Sequence, residues 1–468
     1  MTYRGRHRRR KKGRVLRGAL SGAALALTAA ATIITTSQAA GSDNPGPLTA
    51  LTSSSERGKL QLRENLVPET TLDTLESGMG GAVGVDDVLR DADHPMRNRA
   101  GCDDTESAAL PVEPAATRAY CWDRRDATTQ KWLPQSVTTS GDADDDGAWG
   151  ADRVILAGWT HNDHGAGSPA ADKGLAKVAF IDANDPENLR YRWVLLVAPL
   201  AGGKDFEAVR SRVGGMVWYQ DKLIVTAKNG AAHDDALFVF DMNRILRTDV
   251  DGAEVGRVSG GWSARGHRYV LPAVGSYRLT GGACGADDND ARRCFASISL
   301  DRTSAPDSLV ANEWFSSDSS EPARVWRYDY STAADRTGLL AGDAHGLVDA
   351  DEAYETKAVG LQGVLSHRAS GSAEADWYTG YAPGGRDRHG TLWRQDESAA
   401  KASQCGSGGT SYACWGRHTE SLSYWRETGE LWTLTGRAAD KDERGEPPAI
   451  PERVLYAVPL SEIDSSVQ

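Results

Sequence analysis

The stretch Val213-Gly-Gly-Met-Val-Trp-Tyr-Gln-Asp-Lys-Leu-Ile-Val-Thr-Ala227 decides the fold class. Two short apolar runs flank Gln220-Asp221-Lys222, a pattern typical of two β-strands joined by a tight turn, and Leu237–Asp241 predicts a third strand. A close copy of this unit recurs near the C-terminus in four pieces: Glu420–Trp425, a turn at Glu427–Glu430, Leu431–Thr435 and Arg453–Val458. Repetition of one strand unit at a distance predicts a β-propeller.

Similar short runs, separated by Gly, Asp, Asn, Ser and Pro, continue from Tyr120 onward, as in an all-β protein. They group into blocks near residues 151–199, 213–246, 268–330, 360–396 and 417–460. We therefore predict five blades, with six as the alternative and Trp132–Val137 as a candidate closing strand. Short helical pieces are predicted at Met242–Arg247, Asp349–Glu355 and Leu460–Ile463. A β-sandwich is the second architecture, but the distant repeat disfavours it.

The N-terminal residues 1–39 have the pattern of a signal peptide. Nine Lys and Arg lie within Arg4–Arg17, an apolar run covers Gly18–Ile34, and Ser37-Gln38-Ala39 is a small-x-small cleavage site. The apolar run is too short to favour a permanent membrane anchor. We predict a secreted, extracellular protein without a membrane span after cleavage, exported by the Sec route, with twin-arginine export as the alternative.

The charge balance limits the class of partner. The chain has 53 Lys and Arg against 65 Asp and Glu, a formal net charge of −12. Removal of the nine basic residues of the predicted signal peptide, which contains no acid, brings the charge to −21. Such a chain repels polyanions, so nucleic acid is not an expected partner. We expect a monomer that binds an extracellular ligand or protein.

Six cysteines form three pairs that are local in sequence: Cys102 with Cys121, Cys284 with Cys294, and Cys405 with Cys414. An even count in an exported protein predicts disulfides. Fifteen pairings are open to six cysteines, and the three local pairs are the simplest set. None of them has the C-x-x-C spacing of a zinc or redox site.

A change of composition marks the domain boundary. Residues 41–119 contain no Trp, Tyr or Phe, whereas all 14 Trp lie at or after Trp122. A segment without aromatic residues buries little apolar area to offset its chain entropy. We predict a mostly irregular, partly disordered lead-in over residues 40–119, with one or two short helices within Leu62–Leu89, and a β-propeller domain over residues 120–468.

Several pieces resemble a known family when taken in chain order. They are Trp132–Thr139; Gly214–Tyr219 with Leu223–Ala227 and Val239–Met242; Ser297–Asp301 with Ser308–Val310; Leu361–Val364; and Glu420–Trp425 with Leu431–Leu434. Over about residues 130–460 the chain resembles a family of uncharacterised exported actinobacterial proteins. The resemblance implies a signal peptide and a propeller-like repeat domain, with no activity to carry over. Relatives often have His before the glycine pair, where this chain has Val213.

An acidic run matches the opening of a calcium loop. Asp142, Asp144 and Asp146 precede Gly147 in the D-x-D-x-D-G pattern, which turns alternate oxygens toward one hard cation. Arg153 occupies position twelve, where a closing acid is required, so Asp152 would have to replace it. The sequence leaves two interpretations open: a solvated acidic turn, or a Ca²⁺ site formed by the four aspartates.

His161-Asn-Asp-His164 offers two imidazoles and a carboxylate, which suit a transition metal. A polar loop between strands explains the same residues. The sequence contains no second His cluster that would complete a metal site, so the loop interpretation is favoured.

Candidate ligand-binding residues lie where the innermost strands of the blades are predicted to begin, around the axis. They are Arg212, Gln362, His418 and Glu420, with His389 in a nearby loop. His418 and Glu420 are two residues apart, so on a strand they would face the same side and could perform acid–base chemistry. A structural hydrogen bond at a strand entry is the alternative interpretation.

The sequence contains no G-x-S-x-G, H-E-x-x-H or Walker motif. We therefore interpret the chain as a binding or interaction module for an extracellular or cell-envelope component. The alternative is a secreted hydrolase acting on glycans or phosphoesters through axial carboxylates, with Ca²⁺ as a candidate cofactor.

Overall fold

The computed structural model describes residues 44–162, 172–227, 235–281, 292–315, 322–383, 387–407, 411–436 and 452–467. These residues form a mostly β protein, which confirms the predicted fold class at this level. The predicted signal peptide, Cys284 and His164 lie outside the described residues. Within the described ranges, no helix has the length and apolarity needed to cross a membrane.

The described part of the predicted lead-in is more regular than expected. Its elements are β1 (Thr49–Ala50), α1 (Ser54–Gly58), β2 (Leu62–Leu66), α2 (Glu69–Gly78), β3 (Ala82–Val83), α3 (Val85–Arg90), β4 (His94–Pro95), β5 (Arg97–Asn98), a 3₁₀ turn (Arg99–Gly101) and α4 (Asp104–Ser107). The expectation of a mostly irregular segment is therefore corrected. Buried Leu62, Leu72 and Leu75 supply apolar area without any aromatic residue, which explains the order of this segment.

The next part of the chain contains a four-stranded antiparallel unit. Its elements in chain order are β6 (Arg118–Cys121), α5 (Arg124–Thr128), β7 (Trp132–Thr139), α6 (Ser140–Ala143), β8 (Val154–His161), β9 (Ala176–Asp182) and β10 (Arg190–Pro199). Strand β6 belongs to another unit, described below. We call β7–β8–β9–β10 the first unit. The interpretation of Trp132–Val137 as a closing strand is wrong, because this stretch belongs to β7 and pairs with β8.

The stretch that decides the fold class lies in the second unit. Its elements are β11 (Phe206–Ala208), β12 (Met216–Tyr219), β13 (Lys222–Thr226), β14 (Asp235–Asp241), β15 (Ile245–Arg247), β16 (Val255–Val258), β17 (Gly261–Ala264) and β18 (Tyr269–Leu279). The second unit is β12–β13–β14–β18, and Gln220 makes the predicted turn with a φ of 53°. Two predictions are corrected: residues 242–247 contain a strand rather than a helix, and β18 belongs to this unit rather than to the following block.

Two further units follow. The third unit is β19 (Arg292–Asp301), β20 (Ser308–Phe315), β21 (Ala323–Asp329) and β23 (Glu352–Thr356), with β22 (Leu347–Val348) outside it. The fourth unit is β24 (Leu361–His367), β25 (Asp376–Tyr381), β26 (Thr391–Gln395) and β27 (Ala400–Lys401). Strand β23 replaces the helix predicted over residues 349–355.

The fifth unit combines the last three strands of the described chain with β6, which precedes the first unit. Strands β28 (Ser423–Trp425), β29 (Glu430–Leu434) and β30 (Val454–Pro459) precede α7 (Leu460–Ser466), where a helix was predicted. Strand β6 supplies the fourth strand by pairing with β30. The closing strand is therefore β6. Disulfides join Cys102 to Cys121 at the end of β6, and Cys405 to Cys414, as predicted for these two pairs.

The first strand of each unit is hydrogen-bonded on one side only within the described residues, and we call these five the inner strands: β7, β12, β19, β24 and β28. Strand β7 contacts β12, β12 contacts β19, β19 contacts β24, and β28 contacts β7. Gly363 of β24 lies against Ser421 and Leu422, the two residues that precede β28. Buried apolar clusters fill the space between each unit and the next.

Candidate functional site

The structure brings two of the predicted ligand-binding residues together where the inner strands begin. Arg212 Nη2 lies 3.5 Å from Glu420 Oε2, although 208 positions separate the two residues. The Glu420 side chain is 8% exposed and that of Arg212 is 31% exposed. A nearly buried carboxylate thus meets a guanidinium that still reaches solvent. We call this pair the axial site.

Backbone contacts fix the position of Glu420. Its N–H donates to the carbonyl of Leu434, and Thr433 Oγ1 donates to its carbonyl oxygen. Gly436 leaves room for the side chain, because a Cβ built there would lie 2.4 Å from Glu420 Cγ and 2.3 Å from the carbonyl oxygen of Pro134. The absence of a side chain at Gly436 therefore lets Glu420 lie against the first unit.

Arg212 precedes a glycine pair that allows close packing of the inner strands. Thr226 Oγ1 donates to the carbonyl of Arg212 and ties it to β13. A Cβ on Gly214 would lie 2.3 Å from the carbonyl oxygen of Ala296, and one on Gly215 would lie 2.2 Å from the amide nitrogen of Ile298. Only glycine allows this approach of the two backbones, which places Arg212 beside the axial carboxylate.

Gln362 lies in an irregularity of the neighbouring inner strand β24. The pairing register shifts between Leu361 and Gly363, so Gln362 falls in a bulge. Bulges redirect a side chain and are common beside functional sites. The described contacts do not join Gln362 to Arg212 or Glu420, so its part in ligand binding stays a prediction.

The two predicted histidines have other surroundings. His418 has a φ of 48° and precedes β28, so the argument that it shares a strand face with Glu420 is wrong. His389 Nδ1 lies 2.9 Å from the carbonyl oxygen of Trp415, and its Nε2 accepts a hydrogen bond from Arg417 Nε. Burial, aided by Arg417, lowers the pKa of His389. These contacts hold the loop that carries His389 against residues 415–417.

The structure does not assemble the four predicted calcium ligands. Asp142 is 2% exposed and accepts hydrogen bonds from Thr138 Oγ1 at 2.7 Å and Ser423 Oγ at 2.8 Å. Asp144 and Asp146 are exposed, and Asp152 accepts from Asn184. Among the described residues, no group of three potential ligands with atoms within 4.8 Å of one another includes any of them. The calcium interpretation therefore loses its geometric support.

Asp142 has a different role, because it joins the first and fifth units at Thr138 and Ser423. The hydroxyl of Thr138 also accepts the N–H of Trp218 in the second unit, and Arg302 Nη2 donates to the carbonyl of Asp142. Burial raises the pKa of Asp142 to about 6, since the hydroxyls only partly replace water. Asp142 thus contacts the first and fifth units and Arg302, which follows β19, and it reaches the second unit only through Thr138.

His161 is also placed apart from any such group. It is 3% exposed, and its ring meets Trp132 edge-on at 5.0 Å between centroids. His161 is absent from the potential metal-ligand groups found in the described chain. The other two residues proposed as metal ligands, Asp163 and His164, lie outside the described part of the chain.

His94, Asp123 and Asp126 form a group that no sequence motif indicated, and their ligand atoms lie within 4.8 Å of one another. His94 Nδ1 lies 2.7 Å from Asp123 Oδ2, and Asp126 accepts from Tyr191 at 2.6 Å. Burial alone would raise the pKa of Asp123, but the hydrogen bonds from His94 and from the Asp126 N–H outweigh it and lower the pKa to about 2. These three side chains have the chemistry of metal ligands. The carboxylates of Asp123 and Asp126 already accept hydrogen bonds from protein groups, however, and the His94–Asp123 contact connects β4 to the start of α5.

Lys177 is a further residue that no sequence motif singled out. It is 4% exposed, with Nζ 3.5 Å from the ring centroid of Trp193 and 4.3 Å from that of Trp132. Burial lowers its pKa to about 7, so the amine is largely neutral in mildly alkaline solution. A lysine within the apolar strand β9 was the available sequence signal.

Comparisons with known proteins were made for sequence and for structure. No protein-family model matches the chain, and no curated protein matches it. Among solved structures, the chain is distantly similar to a mutant of the Aleuria aurantia lectin in complex with Fucα1-6GlcNAc, with 9% identity and a TM-score of 0.28, over 72% of this chain and 76% of that one. We base no argument on a likeness of this size, and the resemblance to the actinobacterial family stays a prediction.

Proposed function

We propose that this chain is an exported five-bladed β-propeller that binds an extracellular or cell-envelope ligand at the axial site. The five units would be the blades, since each is a four-stranded antiparallel path that begins with an inner strand. The contacts of the inner strands run from β7 through β12 and β19 to β24, Gly363 of β24 lies against the residues just before β28, and β28 contacts β7. Completion of the fifth unit by β6, which comes before the first unit in the chain, fits a ring closed by strands from an earlier and a later part of the sequence.

The observation that carries the binding function is the pairing of Arg212 with Glu420. A guanidinium presents fixed N–H donors, and its partial exposure leaves part of them to a ligand from solvent. The carboxylate beneath it is nearly buried and holds the arginine in place. Such a pair can recognise a neutral polar ligand or an acceptor group, and the acidic mature chain would repel polyanions.

Export is part of this proposal. It is supported by the sequence pattern of residues 1–39 and by the two disulfides, which persist in oxidising compartments. We propose a monomer, because the ring of units needs no second copy to complete it.

The proposal is tested with the mature chain and the variants Arg212→Ala and Glu420→Gln. Titration against neutral, acidic and cationic glycans and against cell-wall fragments should identify a ligand whose affinity falls at least tenfold in both variants. Arg210→Ala and Glu427→Gln are matched controls, because both residues are exposed and lie outside the axial site. Equal loss in variants and controls would contradict an axial binding site.

The same proteins test the hydrolase alternative. Glycoside hydrolysis ordinarily uses two carboxyl groups about 5–10 Å apart. The axial site as described supplies one, and Arg212 already pairs with it. Turnover of glycans or phosphoesters by the wild type that is lost in Glu420→Gln would overturn a function limited to binding.

A further inference from the structure

The third unit carries buried polar side chains on the face that it turns to the fourth. Ser297 and Ser299 lie on β19, and Asn312 lies directly opposite Ser297 on β20. Their exposed fractions are 0%, 1% and 0%. Because side chains alternate along a strand, all three share the face of Val310, which packs with Leu361 and other residues of the fourth unit. We call Ser297, Ser299 and Asn312 the polar seam.

One polar atom of each residue in the polar seam has no hydrogen-bond partner among the described residues. These atoms are Ser297 Oγ, Ser299 Oγ and Asn312 Oδ1. The amide of Asn312 is oriented by its Nδ2, which donates to the carbonyls of Glu313 at 2.9 Å and Leu361 at 3.4 Å. Buried polar atoms are almost always hydrogen-bonded, to protein or to ordered water. Three such atoms on one face therefore indicate a ligand that the protein atoms do not supply.

The spacing of the three atoms suits a very small ligand. Residues two apart on a strand are about 7 Å apart, and directly opposite residues have Cβ atoms about 5 Å apart. One or two water molecules bridge polar atoms at such separations, and a buried water typically makes about three hydrogen bonds.

The donors and acceptors of the polar seam favour water over a cation. Nearby, Arg327 is 4% exposed and pairs with both Asp301 and Glu352, so these carboxylates already have a cationic partner. The polar atoms of the seam are themselves neutral, and water can both donate to Asn312 Oδ1 and accept from the serine hydroxyls. We propose that ordered water, bound by Ser297, Ser299 and Asn312, occupies the space between the third and fourth units.

Ser136 carries a comparable buried hydroxyl, but this hydroxyl lies against closely packed atoms. It is 0% exposed, and its Oγ also has no partner among the described residues. Here, however, a Cβ built on Gly158 would lie 2.5 Å from Ser136 Oγ and 2.9 Å from Met216 Sδ. The side of Ser136 Oγ that faces β8 is therefore closed by packed protein atoms. Ser136 is the matched control for the polar seam.

The bound water would also support the neighbourhood of the axial site. Asn312 donates to the carbonyl of Leu361, the residue before Gln362 in the β24 bulge. Water that holds the amide of Asn312 in this orientation keeps that contact in place. The polar seam thus contributes to the position of a predicted ligand-binding residue.

The sign of a stability change tests the proposal. In full-length mature protein, Ser297→Ala and Ser299→Ala should lower the midpoint of thermal unfolding by a few degrees, because each removes a hydrogen bond to water. Ser136→Ala should leave the midpoint unchanged or raise it, because it removes an unsatisfied hydroxyl. If the two seam variants behave like Ser136→Ala, the polar seam is dry and the proposal is overturned.

A crystal structure of the mature wild type at better than about 1.5 Å gives the direct readout. Density for oxygen within about 3.2 Å of two of the three polar atoms supports the proposal. Empty space there overturns it, as does an ion with the short, regular oxygen distances of a metal. Repeating the unfolding measurement in sodium, potassium and choline chloride separates the last case, since only a bound metal makes the midpoint depend on the cation.

Discussion

The two copies of the repeated unit align without a gap over 213–219 and 419–425, and they differ most at three positions. Gly214, Gly215 and Val217 of the first copy correspond to Glu420, Ser421 and Ser423 of the second. In the first copy, the glycines lie against the backbone of β19, and Val217 is buried in the apolar cluster between the second and third units.

In the second copy the same positions carry polar contacts to other units. Glu420 pairs with Arg212, Ser421 Oγ accepts the N–H of Val137 at 2.9 Å, and Ser423 Oγ donates to Asp142. The shared apolar positions specify the strands in both copies. The substituted positions decide whether an inner strand joins its neighbours by close backbone packing or by hydrogen bonds.

Substitution of Gly215 should have the largest effect on this comparison. In Gly215→Val, the added Cβ would lie 2.2 Å from the amide nitrogen of Ile298, so the inner strands must separate. We expect a loss of more than about 3 kcal/mol in the free energy of unfolding, measured by urea titration. Gly58→Ala is the control, since a Cβ there meets nothing within 4 Å. Similar stability of the two variants would contradict close packing at Gly215.

Asp142, the partner of Ser423, should give the folded protein an unusual response to pH. Its pKa is about 6 in the folded protein against 3.8 for an ordinary aspartate, so between pH 4 and 6 the folded state binds more protons than the unfolded state. The contribution of Asp142 to stability therefore rises as the pH falls from 7 to 4, by up to about 3 kcal/mol. Urea unfolding of wild type and Asp142→Asn at both pH values measures this difference. Parallel pH profiles would show that Asp142 does not titrate in this range.

Converting one position of the second copy into the residue of the first should cost less. Ser423→Val leaves the buried Asp142 with one hydroxyl donor fewer, and we expect a loss of about 2 kcal/mol at pH 7. The loss should shrink at pH 4.5, where Asp142 is protonated. Ser461→Val, at an exposed position, is the surface control. A loss that does not depend on pH would point to packing rather than to the carboxylate.

The axial pair should contribute least to stability. The Arg212 side chain is about one third exposed, so solvent screens its attraction to Glu420. We expect Arg212→Met to lower the free energy of unfolding by about 1 kcal/mol, as measured by urea titration. A loss above about 3 kcal/mol would assign the pair a mainly structural role instead of ligand binding.

Local sequence pattern was sufficient for most strands and for the repeated unit, because alternation of apolar residues and turn residues acts over a few positions. It was insufficient for the pairing of strands that lie far apart in sequence. Trp132–Val137 was predicted as a closing strand but pairs with β8, whereas Arg118–Cys121, for which no pairing was predicted, completes the fifth unit. The predicted helices at 242–247 and 349–355 became strands because sheet edges offered them partners.

The candidate site shows the same division. The sequence identified Arg212 and Glu420 as residues at strand entries, but it did not indicate that they would form a pair. His418 failed as a partner because its backbone adopts a positive φ before β28 begins. The four predicted calcium ligands do not come together in the described residues, because Asp142 turns into the protein interior toward the hydroxyls of Thr138 and Ser423.

The sequence by itself determined the fold class, the repeated strand unit, the local disulfides at Cys102–Cys121 and Cys405–Cys414, and the acidic charge of the chain. Each of these depends on neighbouring residues or on composition. Only the tertiary structure decided which inner strands touch, which strand closes the fifth unit, and which polar groups lose water. Those outcomes depend on close approach of residues far apart in sequence, as between Arg212 and Glu420, and no local pattern encodes that distance.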